Sequence, residues 1–411
     1  MEIFRDINFD FLKWKWWAVG VSLALLLLSL VSFGLKGIAY GIDFKGGAMM
    51  TVKWAGQPPV ERIRSAMGRV IPGEISVYEL GGVTGRDQVV IGTELREERQ
   101  LNVNRRTMQQ TLESTFGKPG SGLLDFNNAS QQQVVDRLRD PLQRAGAGMS
   151  DQQLQKVAAD IVDFRNTPPR SGVITSFEQL AAVPGMTPVV LDVLKKESYL
   201  APYSVQQVEM VGPKVGDELR RRAVLATLYA LAGMLVYIAF RFEWIYGVGA
   251  VLAVFHDTLI TLGIFSLLGK EISLTVIAAL LTLVGYSMND TIVIFDRIRE
   301  NLRISRREPL ADVMNRSINQ TMSRTVMTSG LTFLTVLALY LFGGPVLHTF
   351  SFAMVVGIII GTYSSVFIAS PIVLWWSERS TSGKKLAAPA PEAAKPPVAA
   401  AKKSQPKALK S

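Results

Sequence analysis

Polar side chains interrupt an apolar stretch at a place where lipid would reject them. In GYSMNDTIVIFDRIRE (285–300), Tyr286, Asn289 and Asp290 fall with Thr282 close to one face of a 3.6-residue helix. A carboxylate at mid-helix costs roughly 2.5–3.5 kcal/mol on insertion scales, so Asp290 needs a partner or water. Further along, Arg324, Thr328, Thr332 and Thr335 repeat at steps of three and four. Two such stripes are expected to pack on each other and set Asp290 opposite Arg324. Burial favours the neutral acid, a nearby guanidinium favours the carboxylate, and the arginine itself stays charged. An acid held between those pulls can load a proton from one side of a membrane and release it to the other. Each charge so moved is worth about 2.3 kcal/mol per 100 mV. Taken singly the two residues have plainer readings, Asp290 reaching an interface and Arg324 anchoring a helix end; their matched stripes favour the pair.

A second set is His256 and Asp257, near the middle of another apolar stretch and too deep to snorkel. They are read as a buried pair that either ties helices together or joins the proton path. His348, in a short turn, is read as a surface residue.

These residues require membrane helices to position them. The chain has 411 residues, of which 48% are hydrophobic and 19% charged. Its mean hydropathy of +0.24 is too high for an ordinary soluble enzyme. Six apolar stretches are long enough to cross about 30 Å of hydrocarbon: 16–35, 223–240, 244–268, 272–294, 325–342 and 346–375. The first has a basic start but no small-residue cleavage site after it, so it is read as a retained anchor with Trp14, Trp16 and Trp17 at the interface. Lys and Arg in the segment 1–15 and in the connection 296–323 place both on the cytoplasmic side. The segment 377–411, rich in Lys, Ala and Pro, reads as a disordered cytoplasmic tail. It supplies much of the net charge of +10, which points to anionic lipid rather than nucleic acid. There is no cysteine, so no disulfide is expected.

One long segment separates the first two stretches. Residues 41–54, with Gly46 and Gly47 marking a bulge, read as a strand; 59–70 as a helix; 74–82 and 87–95 as strands; 100–116 as a helix; and 204–212 as a last strand. That order is a ferredoxin-like unit over 37–117 and 204–222. Residues 118–203 interrupt it as a helical insertion. Its VPGMTP turn between two apolar helices resembles the helix-hairpin-helix of the pseudopilin GspK and, more loosely, of ComEA-type DNA receptors. Gly185 is followed by Met186, Thr187 and Pro188, so the second glycine is missing and Pro188 lacks a donor. Protein contact or spacing is therefore expected of it, and no nucleic acid partner.

GIDFKGG after the first stretch, VEMVGPKVGDEL before the second, FHDTLITLGIFSL in the third and GYSMNDTIVIFDRIRENLR with NQTMSRTVMTSG around the fourth and fifth together resemble the SecF family of bacterial protein-export subunits. The resemblance runs from the start to about residue 376, apart from the insertion. It implies a six-helix, RND-type half of a proton-driven assembly that works with SecD, the SecYEG channel, SecA and the emerging preprotein. It also implies the bacterial cytoplasmic membrane, both termini cytoplasmic and the long first loop exported. Proton coupling is carried over onto Asp290, Arg324 and the pair His256 and Asp257, with Asn289 and Tyr286 beside the acid. No cofactor or metal and no enzymatic activity are expected. The expected fold is a polytopic α-helical membrane protein, with six transmembrane helices over 16–36 and 223–376 and an exported α+β domain bearing the insertion. Two other readings are weaker. A stand-alone RND-type exporter would need two such halves, and an intramembrane aspartyl protease using Asp257 and Asp290 would need a GxGD approach that Ser287 and Asn289 replace.

Overall fold

Among the described residues, six helices have the length and hydropathy to cross a membrane: Leu12–Lys36, Pro213–Ile238, Trp244–Leu267, Leu274–Ile304, Leu310–Phe342 and Val346–Arg379. This computed structural model describes residues 8–71, 73, 75–80, 87–94, 101–241, 244–305 and 308–385. From the start to the sheet, the chain forms α1 (Lys15–Lys36), α2 (Ile42–Lys45), β1 (Gly47–Trp54), α3 (Val60–Val70), β2 (Ile75–Glu79), β3 (Gln88–Glu94) and α4 (Leu101–Phe116). The insertion follows as β4 (Leu124–Asp125), α5 (Gln131–Arg144), α6 (Asp151–Asn166), α7 (Pro188–Glu197) and β5 (Ser198–Tyr199). After β6 (Tyr203–Val211) come α8 (Pro213–Arg241), α9 (Trp244–Leu267), α10 (Leu274–Ile304), α11 (Leu310–Phe342), α12 (Gly344–Ser364) and α13 (Ser370–Lys385).

The sheet runs β2-β3-β1-β6 with every neighbour antiparallel, the ferredoxin-like order. Alternation along β1 aims Ala48, Met50, Val52 and Trp54 at α3 and α4, where Ile63, Met67, Met108 and Leu112 meet them. Two expectations here are corrected. Residues 41–45 form a helical turn, α2, rather than the start of a strand, because Ile42 and Phe44 turn into buried sites. The bulge lies between Thr51 and Val52, opposite β6. Gly46 and Gly47 instead mark close approach. A Cβ on Gly46, whose φ is 76°, would stand 2.7 Å from Pro213 Cα, and one on Gly47 would stand 2.3 Å from the Thr93 carbonyl oxygen.

Residues 124–201 bury their own core, with Phe126, Leu138, Ile161, Leu180 and Leu194 at its centre. Capping boxes at Ser130 and Ser150 start α5 and α6. Thr187 caps α7 by accepting from the Val190 N–H, which removes one of the donors a phosphate would need. Asn128 fastens this unit to the sheet, accepting from Val205 N–H at 2.8 Å and donating to the Tyr203 carbonyl at 3.2 Å.

Three boundaries differ from the sequence reading. The second span begins at Pro213, ten residues early, because proline suits the first helical position and the charged turns with Lys214, Asp217 and Glu218 can stand above the hydrocarbon. The 296–323 connection is mostly helix: α10 runs to Ile304 and α11 starts at Leu310, held together by Asn301 Nδ2 donating to Ser317 Oγ (2.9 Å) and Gln320 Oε1 (2.8 Å). Helix α13 continues to Lys385, with Arg379 stacked 4.1 Å from the Trp375 ring centre. The remaining tail, 386–411, lies outside the described residues.

Lipid gives helices no hydrophobic reason to associate, so small residues and hydroxyls take over. The α1–α9 seam shows it. Ser32 Oγ lies 2.8 Å from Ser266 Oγ, and a Cβ on Gly263 would fall 2.0 Å from Ser29 Oγ. Because the chain has no native cysteine, the seam can be read by disulfide formation. Ser32→Cys with Ser266→Cys should cross-link under mild oxidation, scored by protection of both thiols from alkylation, and adding Gly263→Leu should abolish the cross-link. Unimpaired cross-linking in the triple variant would contradict this packing.

Candidate functional site

The two acids singled out in the membrane helices are each held by hydroxyls of neighbouring helices rather than by Arg324 or by each other. Asp257 of α9 is 1% exposed. Its Oδ2 accepts from Ser287 Oγ of α10 at 2.5 Å and from Ser364 Oγ at the end of α12 at 2.7 Å, while Oδ1 faces His256 Nδ1 at 2.9 Å. His256 Nε2 is buried without a partner among the described residues. Ser364 is well placed because the helix loosens beside it: residues Ser365–Ala369 form a π turn between α12 and α13, a form of helix often found at functional sites.

Asp290 lies one turn beyond Ser287 on α10 and is 2% exposed. Its Oδ2 accepts from Ser329 Oγ of α11 at 2.7 Å. Thr362 of α12 sits beside the same carboxylate, its hydroxyl outside hydrogen-bond geometry. Two more buried hydroxyls without partners are close along the helices: Thr325 one turn before Ser329, and Tyr286 one turn before Asp290.

The expected Asp290–Arg324 ion pair is corrected by this geometry. Arg324 is exposed and makes no ion pair with Asp290, although it is near enough for its charge to act there. Nor do the two stripes cover each other. Thr282, Asn289, Thr328 and Thr335 are exposed, and Tyr286 and Thr332 are half-buried. The physical reason is rotational: α11 turns Thr325 and Ser329 toward α10, which leaves Arg324 and Thr328 on an open face. His348 is also corrected. It is buried, stacked 4.4 Å from Tyr340, and its Nε2 has no partner.

Sequence reasoning missed Ser287, Ser329, Ser364, Thr325 and Thr362. Spacing held a partial signal, since Ser287 stands one turn before Asp290 in GYSMND and Ser329 one turn beyond Thr325 in RTVMTS. Hydropathy hid them, because a serine or threonine in a span can satisfy itself on its own i−4 carbonyl, as Thr291 does on Ser287.

Chemically, the site can hold a proton. A hydroxyl both donates and accepts, so Ser329 can donate to ionised Asp290 or accept from the protonated acid without moving far. The two carboxylates take separate hydroxyl partners, which is unlike the shared-proton dyad of an aspartyl protease. Among the described residues no three His, Asp or Glu side chains converge as a metal site would require.

The SecD/SecF GG motif matches residues 31–53, and the C-terminal part of the protein export membrane proteins SecD/SecF matches 192–379. The protein translocase subunit SecF of Koribacter versatilis is 47% identical over 409 residues, covering 95% of this chain and 98% of its own. The chain belongs to the SecF family. Escherichia coli O157:H7 SecF is 34% identical over 366 residues, 89% of this chain and 87% of that protein. The crystal structure of SecDF, a translocon-associated membrane protein from Thermus thermophilus, aligns with a TM-score of 0.63 at 32% identity over 91% of this chain, which spans 39% of that longer chain. SecF-family membership agrees with the six-span architecture and with an α+β domain between the first two spans.

The two acids should behave differently when replaced. Asp257→Ala strands Ser287, Ser364 and His256, which should cost about 2–4 kcal/mol of stability at the scale of one to three hydrogen bonds to a buried charge or its partners. Asp290→Asn keeps an acceptor for Ser329 and should cost much less. Thermal unfolding in detergent reads the difference, and an equal loss in both variants would contradict the assigned partners.

Proposed function

We propose that this chain is the SecF-type subunit of a proton-driven protein translocase, acting with a SecD-type partner in the bacterial cytoplasmic membrane. The observation that carries the reading is Asp290, enclosed by three spans and held by a neutral hydroxyl, with no cation among the described residues paired to it. An uncompensated charge in such a place costs several kcal/mol, so the site favours either a bound proton or the approach of a cation. Arg324, on the open face nearby, is the cation in range. Proton loading from the exported side and release to the cytoplasm would alternate the acid between Ser329 and Arg324, with Tyr286 and Asn289 flanking the path. Asp257 and His256 form the neighbouring buried cluster, one helical turn away through Ser287.

The partner follows from the open face. The 18-residue apolar windows of the second and fifth spans are only 6% and 17% buried within this chain, which suits lipid on one side and a second six-helix half on another. The solved SecDF chains are longer, this chain spanning 39% and 41% of them, which leaves length for such a half on the same polypeptide. SecYEG, SecA and the emerging preprotein would be met through that complex. Both termini would face the cytoplasm, the α/β domain the exported side, and the basic helix ends and tail anionic lipid. A stand-alone small-molecule exporter finds less support, because similarity to SecF runs over 95% of the chain.

Translocation into vesicles with and without a proton gradient tests this reading. Asp290→Asn and Arg324→Met should each bring the ratio of the two rates close to unity while membrane assembly and co-purification of the SecD-type partner persist. Retained gradient stimulation in both variants would refute proton coupling at this site.

A further inference from the structure

The GIDFKGG segment does more than start the sheet. Its backbone pairs with the loop before α10: Gly41 N–H donates to the Ile272 carbonyl at 2.9 Å, and Ile272 N–H donates to the Ala39 carbonyl at 2.8 Å. Two residues further, the Leu274 N–H donates to Asp43 Oδ2 at 2.8 Å. Leu274 is the first residue of α10, and Ser273 at the cap position gives no side-chain cap. The helix that carries Asp290 is therefore capped by a carboxylate 231 residues away in sequence. A negative charge suits that end of a helix.

Packing reinforces the tie. Phe44, next in the turn, is 4% exposed and sits in one core with Ile272, Val276, Ala279, Leu280 and Leu283. On its other side the turn is jammed into the sheet. Gly46 and Gly47 have no room for a Cβ beside Pro213 and Thr93, and a Cβ on Gly216 of α8 would stand 3.0 Å from Gly46 N. Thus α2 is clamped at both ends, to β1 and α8 on one side and to the start of α10 on the other.

We propose that Asp43 is a positioning residue that links proton binding to the α/β domain. Resting on the assignment of Asp290 as the coupling acid, this role makes α10 a rod of about 24 Å from Leu274 to Asp290, at 1.5 Å per residue. A shift of α10 when Asp290 gains or loses its proton is passed through the Leu274–Asp43 bond to α2, and from α2 to β1. Without the bond, what remains is the backbone pairing of the loop at Ile272 and the non-directional packing of Phe44, which let α10 shift while the sheet stays in place.

The test uses the full-length chain with its partner and a pair of cysteines that replaces the bond by a covalent one. In Asp43→Cys with Ser273→Cys, the oxidised protein is tied and the reduced protein is untied, so one folded sample supplies both states. Gradient-dependent stimulation of translocation should be present when oxidised and lost on reduction, its ratio returning to unity. Asp43→Asn, which keeps an acceptor oxygen, should retain most of the stimulation that Asp43→Ala loses. A second readout reports motion. With cysteines at Gln207 and Thr349, which line the cleft between sheet and bundle, the yield of a bifunctional cross-linker should change on imposing the gradient, and Asp43→Ala should remove that change. Equal stimulation in the oxidised and reduced pair, or a gradient-dependent cross-link that survives Asp43→Ala, would overturn the proposal. If Asp290→Asn itself keeps gradient dependence, the fault lies in the coupling acid; if Asp290→Asn loses it and the reduced pair does not, the fault lies in the tie alone.

Discussion

Placing a carboxylate inside a helix bundle that lipid surrounds constrains everything else in this chain. Water cannot solvate it there, and a permanent ion pair would fix its charge. The bundle meets the constraint with hydroxyls: Ser287 and Ser364 for Asp257, Ser329 for Asp290. Hydroxyls tolerate either protonation state, since each is a donor and an acceptor. A site built this way is stable enough to persist and neutral enough to switch. The rest of the membrane region brings those serines to the acids, through close α10–α12 packing and the π turn after Ser364. A Cβ on Gly361 would stand 3.0 Å from Ser287 Cβ and one on Gly357 2.5 Å from Leu283 Cδ1, so a larger residue at either position would push α10 and α12 apart or shift those side chains.

The same economy appears at the sheet end. Both places where the chain leaves the sheet toward the membrane meet at one point, since Gly47 is registered opposite Val211. Chain exit, helix start and the cap of α10 are thereby gathered within a few residues around Gly46, Gly47 and Asp43. The helical unit of 124–201 sits at the opposite end of β6, fastened near Tyr203 and Val205. It thus adds surface without entering that junction.

Much of this was legible in the residues themselves. Long apolar runs read as spans, period-two alternation read as β1, β2, β3 and β6, and the odd acids at 257 and 290 announced a special site. What could not be read was which neighbour covers each face. Arg324, Thr328, Thr332 and Thr335 do share one side of α11, yet nothing in their spacing says that α10 instead meets the side with Thr325 and Ser329. Helix ends depart from the hydropathy boundaries for a related reason. Hydropathy follows the hydrocarbon, whereas α10 and α11 continue past it because Asn301 donates to both Ser317 and Gln320, and α8 starts early at Pro213. The turn at α2 has the pattern of a strand in sequence because its two apolar residues alternate with Asp43, and only the distant Leu274 reveals why that acid is there.

The central claim is that Asp290 itself exchanges a proton while remaining buried. Infrared difference spectroscopy on the assembled complex in membranes, recorded across a pH jump, observes the carbonyl stretch of a protonated carboxylic acid directly. The account predicts a band that comes and goes with pH, shifts when Ser329 becomes alanine, and is missing from Asp290→Asn. A difference spectrum that is the same with and without the Asp290 carboxyl would contradict it.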